Sequence, residues 1–334
     1  MTATLPNRLP RTAARRTVLD GAGVPLSALL ALPEDVPPRA TVVALHGAGM
    51  SGGYFDGSAH PDASLLGLGA RLGYAVLAVD RPGYGDSAPV LPRGCDRQEQ
   101  SALLRAALAE FAATHETGAG MFLLGHSYGG MLALTAAADG LRSGGTASGA
   151  PLLGVDVSGC GRRLAVDPVP PEGSLRRTAR HWGPLRCYPP DTFRSSQTLV
   201  GPVPERERGD AGAWADLFPG VAARVRVPVR LTFAAHEAWW RQDDAELAEL
   251  AAAFTAAPRV LVERQPQAGH NISLGWAARA YHLRALAFAE DCLRPADPPS
   301  SPGRTGPADP QSSIRRAGPA DPPSPTQRTG RDMP

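Results

Sequence analysis

A serine flanked by glycines, Gly125-His126-Ser127-Tyr128-Gly129, follows the apolar run Met121-Phe122-Leu123-Leu124 and precedes a helical pattern from Met131 to Ala138. This context places Ser127 on a sharp turn between a strand and a helix. The turn needs glycines, because a Cβ on either flank would collide with neighbouring backbone. A serine hydroxyl is a weak nucleophile until a base takes its proton. Near neutral pH that base is a histidine, and a carboxylate must fix the histidine's tautomer. The chain has eight histidines, and His270 in Ala268-Gly269-His270-Asn271 fits best. It follows the last strand pattern, so it should lie at the same end of a parallel sheet as Ser127. The acid should follow an earlier strand. Glu237, in Ala234-Ala235-His236-Glu237, is the preferred assignment; Asp156, in the strand pattern Leu152 to Val157, is the alternative.

Acyl chemistry on such a serine also needs two backbone donors aimed at the developing oxyanion. One is expected to be the N–H of Tyr128, just after the nucleophile. The other should come from His46-Gly47-Ala48-Gly49, whose small residues let backbone approach a substrate closely; Ala48 N–H is the expected donor. His46 reads as a brace for this loop rather than as a base.

The elements that must position these residues alternate along the chain. Short opening strands are expected at Thr17-Val18-Leu19 and Leu26 to Leu32. Strands follow at Thr41 to Leu45, Tyr74 to Val79, 121–124, Leu152 to Val157, Val227 to Phe233 and Arg259 to Glu263. Helices are expected at Leu65 to Leu72, Gln98 to His115, after the serine turn, over Asp243 to Phe254 and over about Leu274 to Leu293. This order predicts an α/β fold: a mostly parallel sheet with helices on both faces.

Residues 160–225 break the rhythm. They are rich in Pro and Arg and carry Trp182, Tyr188, Phe193 and Trp214, which reads as an inserted lid. Those aromatics either line an apolar pocket or form the lid's own small core. The lid arginines, Arg177 among them, read mainly as a solvated face, with binding of an acidic group as the alternative. Residues 1–14 read as a disordered leader. Residues 294–334 read as a disordered tail in which Pro-Ala-Asp-Pro recurs at 295, 307 and 319, a unit too poor in large apolar residues to build a core.

A net charge of +2, with 34 basic against 32 acidic residues, gives no reason to expect nucleic acid. No secretory signal and no long apolar span is visible, so neither a membrane nor an exported location is expected. Four widely spaced cysteines match no metal spacing and read as thiols of a reducing, cytoplasmic compartment.

Taken in order, His46-Gly47-Ala48-Gly49, Asp80-Arg81-Pro82-Gly83-Tyr84-Gly85-Asp86-Ser87, Gly125 to Gly130 and Gly269-His270 resemble the α/β-hydrolase superfamily. The resemblance covers about residues 15–293. One departure is Glu237, where the family more often has Asp. The family's members that open epoxides or displace halide carry Asp at the turn, so a serine there implies the ester, thioester or amide hydrolases. The implied mechanism is acylation of Ser127 and attack of water on the acyl-enzyme, with a small-molecule substrate and no metal or organic cofactor. Acyl transfer, perhydrolysis or C–C cleavage on the same residues, or ligand binding without catalysis, are the competing readings.

Overall fold

Side chains of a strand point alternately to two faces, so a run such as Thr41-Val42-Val43-Ala44-Leu45 needs apolar cover on both. The computed structural model supplies it, and describes residues 14–57, 59–140, 150–165 and 173–293. The expected leader, except Ala14, and the expected repeat tail lie outside those residues.

In chain order the elements are β1 (Arg15–Gly21), β2 (Val24–Ala31), β3 (Thr41–Leu45), α1 (Leu65–Arg71), β4 (Ala75–Val79), α2 (Arg97–Thr114), β5 (Met121–His126) and α3 (Tyr128–Ala138). There follow β6 (Leu152–Ser158), α4 (Leu175–Trp182), α5 (Thr192–Ser195), α6 (Glu205–Ala211), α7 (Trp214–Ala222), β7 (Val229–His236), α8 (Asp244–Ala252), β8 (Val260–Gly269) and α9 (Ala278–Cys292). The sheet has eight strands in the order β1-β2-β4-β3-β5-β6-β7-β8. β2 runs antiparallel to β1 and β4; every other pairing is parallel.

Alternation along the central strands divides the core. Val43, Leu45 and Leu123 face one apolar layer with Leu104, Leu108, Phe111, Leu132 and Leu250 from α2, α3 and α8. Val42, Ala44, Phe122 and Leu124 face the other, with Leu65, Leu66, Leu286 and Phe288 from α1 and α9. Helix starts follow their caps. Asp96 and Glu99 form a reciprocal capping box on α2, and Ser64 and Asp243 accept N–H bonds at the heads of α1 and α8.

Strand bounds such as those of β1 and β7 shift by two or three residues, and two elements differ more from the sequence expectation. β8 continues six residues past Glu263, through Arg264-Gln265-Pro266-Gln267-Ala268-Gly269. This polar stretch carries no apolar run to betray a strand. It is tolerated because β8 is the edge strand, where a proline costs no ladder bond that is needed. The last helix begins at Ala278 rather than near Leu274, because Ile272–Leu274 form a separate tight turn. Among the described residues no helix is long and apolar enough to cross a membrane.

Candidate active site

Parallel strands deliver their C-terminal ends to one rim of the sheet, and the expected site residues gather there. Ser127 joins β5 to α3 with φ +53° and ψ −120°, a backbone region that a side chain disfavours. The flanking glycines are required by space. A Cβ on Gly125 would lie 2.4 Å from the Gly129 carbonyl oxygen, and one on Gly129 would lie 2.1 Å from that of Leu45. The Ser127 N–H is anchored to Ser158 O of β6 at 2.8 Å.

His270 directly follows β8 and Glu237 directly follows β7. His270 Nε2 lies 3.2 Å from Ser127 Oγ, and Nδ1 lies 2.8 Å from Glu237 Oε2. The other oxygen, Oε1, accepts the N–H groups of Ala238 (3.0 Å) and Trp239 (2.8 Å). The carboxylate is thus fixed at both oxygens, and its side chain is fully buried. Since a carboxylate only accepts, Nδ1 carries the proton and Nε2 is left to accept from the serine.

The alternative acid, Asp156, sits elsewhere. Its carboxylate is held by Arg230 and by the Tyr281 hydroxyl at 3.0 Å, deep in the sheet. Asp156, the alternative acid, is mid-strand in β6 and bonds Arg230 and Tyr281, whereas the preferred Glu237 lies against His270 Nδ1.

The loop after β3 lies against the serine turn; a Cβ on Gly47 would stand 3.1 Å from Ser127 Cβ. His46 is fully buried and braces this loop, as its sequence context suggested. Its Nδ1 lies 2.8 Å from Gly47 O, and its Nε2 accepts the N–H of Arg81 at 3.0 Å. Burial, with the nearby Arg81 charge, pushes His46 well below the usual histidine range. Tyr128 is the first residue of α3, where backbone N–H groups have no partner within the helix and the helix dipole is positive.

A serine on a strand–helix turn, with a histidine and an acid each following a later parallel strand, is one arrangement with one chain order. A model of the alpha/beta hydrolase family matches residues 42–290. The chain belongs to that family. Solved α/β-hydrolases repeat the fold. A soluble variant of monoglyceride lipase from Saccharomyces cerevisiae, in complex with a substrate analog, has a TM-score of 0.62 at 15% identity, covering 87% of this chain and 99% of that one. A highly thermostable carboxyl esterase from Bacillus coagulans scores 0.60 at 16% identity, covering 84% and 99%. The N-acyl homoserine lactonase AidH scores 0.60 at 15% identity, covering 84% and 98%. At these identities the likeness is one of fold. No curated protein matches the sequence significantly.

This α/β-hydrolase has a cavity of about 310 Å³ over the serine. Ser127, Tyr128, His270 and Ala48 line it, with Met131, Leu164, Trp239 and Trp240 among its apolar lining residues. The expected lid aromatics do not line it. Trp182, Tyr188 and Phe193 pack on one another with ring centroids 4.8–6.0 Å apart, and Trp214 is buried against Phe218. The lid arginines divide. Arg162 and Arg163 pair with Glu246, whereas Arg177 lies over the Trp239 ring, 5.5 Å from its centroid, and lines the cavity.

Two further histidines flank His270. His126 lies 4.9 Å away by ring centroid and stacks on Tyr54; His181, from α4, lies 5.9 Å away and lines the cavity. Both are kept neutral. Burial, then the nearness of His270, pushes His126 well below the usual range and lowers His181 to about 3.

Sequence reasoning missed Glu207, which lines the cavity from α6. In Glu205-Arg206-Glu207-Arg208 the charges alternate like a solvated face, yet Glu207 is fully buried against Arg81. Only the docking of α6 reveals it.

Proposed function

We propose that this α/β-hydrolase cleaves an ester, thioester or amide of a small to medium acyl compound through an acyl-enzyme on Ser127. The hydrogen-bonded chain Ser127–His270–Glu237, opening into a cavity, carries the reading. His270 takes the proton of Ser127 Oγ as the oxygen attacks the carbonyl carbon, then gives it to the leaving group. Glu237 holds the imidazole's tautomer and stabilises its cation. The N–H groups of Tyr128 and Ala48 receive the oxyanion. Water, deprotonated by His270, then releases the acid. The fold neighbours named as esterase, lipase and lactonase support acyl–oxygen cleavage as the first class to test. The aromatic walls support an apolar acyl group, and residues 160–165 and 173–225, which line the cavity through Leu164, Arg177, His181 and Val203, are proposed as its lid. The four unpaired thiols support a reducing, cytoplasmic location.

The deciding experiment is intact-mass spectrometry after a fluorophosphonate probe, with peptide mapping and a panel of p-nitrophenyl esters. One adduct on Ser127, with turnover of some esters, is expected. A folded sample that neither labels nor turns over would favour a binding protein. Product analysis with an added alcohol then separates hydrolysis from acyl transfer.

The acid assignment has its own test. Glu237→Gln should lower kcat about 10²–10⁴-fold with little change in stability, because the tautomer of His270 is lost. Asp156→Asn should leave kcat within about threefold. It should cost roughly 1–3 kcal/mol in urea unfolding, because Arg230 loses its buried carboxylate partner and keeps only the partly exposed Glu263. Reversed outcomes would return the role to Asp156.

A further inference from the structure

One carboxylate of the lid is tied to both flanks of Ala48. On one side Glu207 receives Arg81 in bidentate fashion, Nη1 to Oε2 at 2.7 Å and Nη2 to Oε1 at 3.0 Å. The same guanidinium donates from Nε to His46 O at 2.7 Å and from Nη2 to Gly47 O at 3.2 Å. On the other side Tyr84 donates its hydroxyl to Glu207 Oε1 at 2.7 Å and accepts the N–H of Gly49 at 3.0 Å. Gln100 completes the set, donating to Glu207 Oε2 at 3.1 Å and accepting from Arg81 Nη1 at 2.7 Å. Arg81 is held between the rings of Tyr84 and Tyr128, with Cζ 4.8 and 4.7 Å from their centroids.

A trans peptide unit is planar, and its C=O and N–H point in opposite directions. Gly47 O is held by Arg81 Nη2 at 3.2 Å together with His46 Nδ1 at 2.8 Å and the Met50 N–H at 3.3 Å, and Arg81 also holds His46 O, so Arg81 helps to fix the direction of the next N–H, that of Ala48, on a residue that lines the cavity. A buried ion pair adds little net stability over an apolar pair of the same shape. This pair is fully buried, and its remaining bonds converge on the one loop beside Ser127.

We infer that Glu207 is a positioning residue for acyl transfer to Ser127, orienting the Ala48 N–H by acting through Arg81 and Tyr84. The inference rests on the proposed function, in which that N–H receives the oxyanion. It also makes the donor's geometry depend on α6 being docked.

The test compares Glu207→Ala, Glu207→Gln and Tyr84→Phe in the full-length enzyme. Fluorophosphonate labelling counts competent sites. The readouts are kcat and KM on the fastest p-nitrophenyl ester, and Ki for a trifluoromethyl ketone with the same acyl chain, which forms a tetrahedral oxyanion. Misplacing one such donor costs about 10²–10³ in kcat. Glu207→Ala should therefore lose about 100-fold or more in kcat, with KM within about threefold and the ketone's Ki raised in proportion. Glu207→Gln, which keeps the shape and part of the hydrogen bonding, should recover most of that loss. A labelled Glu207→Ala protein with kcat within threefold of wild type, or a loss carried wholly by KM with Ki unchanged, overturns the inference. Should Glu207→Ala fail to fold, Glu207→Gln and Tyr84→Phe decide. Parallel losses of about 3–30-fold in kcat and in ketone affinity support it, and no change in either variant overturns it. A wild type that neither labels at Ser127 nor turns over any ester refutes the hydrolase reading instead, before any variant is compared.

Discussion

Ser127→Ala is expected to lower kcat/KM by about 10⁵–10⁶-fold, since in the proposed mechanism nucleophile, base and acid act as one unit and loss of the nucleophile removes nearly all their effect. The residue is also a point of backbone strain. At φ +53° a Cβ crowds its own peptide groups, and such conformations cost of order 1–3 kcal/mol. Alanine keeps the Cβ, so its urea midpoint should match the wild type. Ser127→Gly should be equally inactive but more stable, by about 1 kcal/mol or more, because glycine adopts positive φ freely. The pair of variants separates chemistry from strain. Turnover above about 1% of wild type in Ser127→Ala would end its role as nucleophile. A glycine variant no more stable than alanine would show that the turn stores no strain.

Stability is expected to collapse on mild acidification. Four histidines are neutral in the fold: His46, His126 and His282, which are buried, and His181, which is half-buried at the cavity. His282 donates from Nδ1 to Ala63 O (2.7 Å) with Ser273 Oγ at 2.9 Å from Nε2, and burial lowers it to about 4. His181 is lowered to about 3, and His46 and His126 well below the ordinary value. A group whose folded pKa is depressed binds fewer protons folded than unfolded between the two values. Stability is therefore intact above the unfolded value of about 6.5 and falls as pH drops below it. Each group costs up to roughly 1.4 kcal/mol per pH unit in that window, so by pH 5 the four together should remove several kcal/mol, a large share of the stability of a domain. Asp156, held above its ordinary value by burial, works the other way, one group against four. Urea unfolding at pH 8, 7, 6 and 5.5 should give a flat curve that turns down below pH 6.5, approaching four protons taken up per molecule unfolded. His282→Asn should be weaker at pH 8 but lose about one proton from that slope. An uptake below one proton at pH 5.5 in the wild type would mean that these rings are charged in the folded state.

Much of the fold was legible because its signals are local. Thr41 to Leu45 is a strand on both readings because five apolar or β-branched residues between turn signals leave no room for a helix. The Asp96–Glu99 box and the apolar spacing behind it mark α2 in the same way. The polar extension of β8 was not legible, since its strand character comes from pairing with β7 and not from its side chains.

For the candidate site, residue types and their order were readable along the chain: a serine between glycines, then a carboxylate, then a histidine, each after a strand. A parallel sheet carries such residues to one rim whatever their separation along the chain. Three things waited for the tertiary structure. The choice between Glu237 and Asp156 turned on which carboxylate meets His270 Nδ1 and which is held by Arg230. The division of the aromatics, with Trp239 and Trp240 on the cavity and Trp182, Tyr188 and Phe193 on one another, turned on how α4 and the following turns pack. The link from Glu207 to the loop at Ala48 runs through Arg81, which lies 126 positions before Glu207. Periodicity and motif spacing report a residue's neighbours in sequence, whereas the burial of a charge is decided by what folds over it.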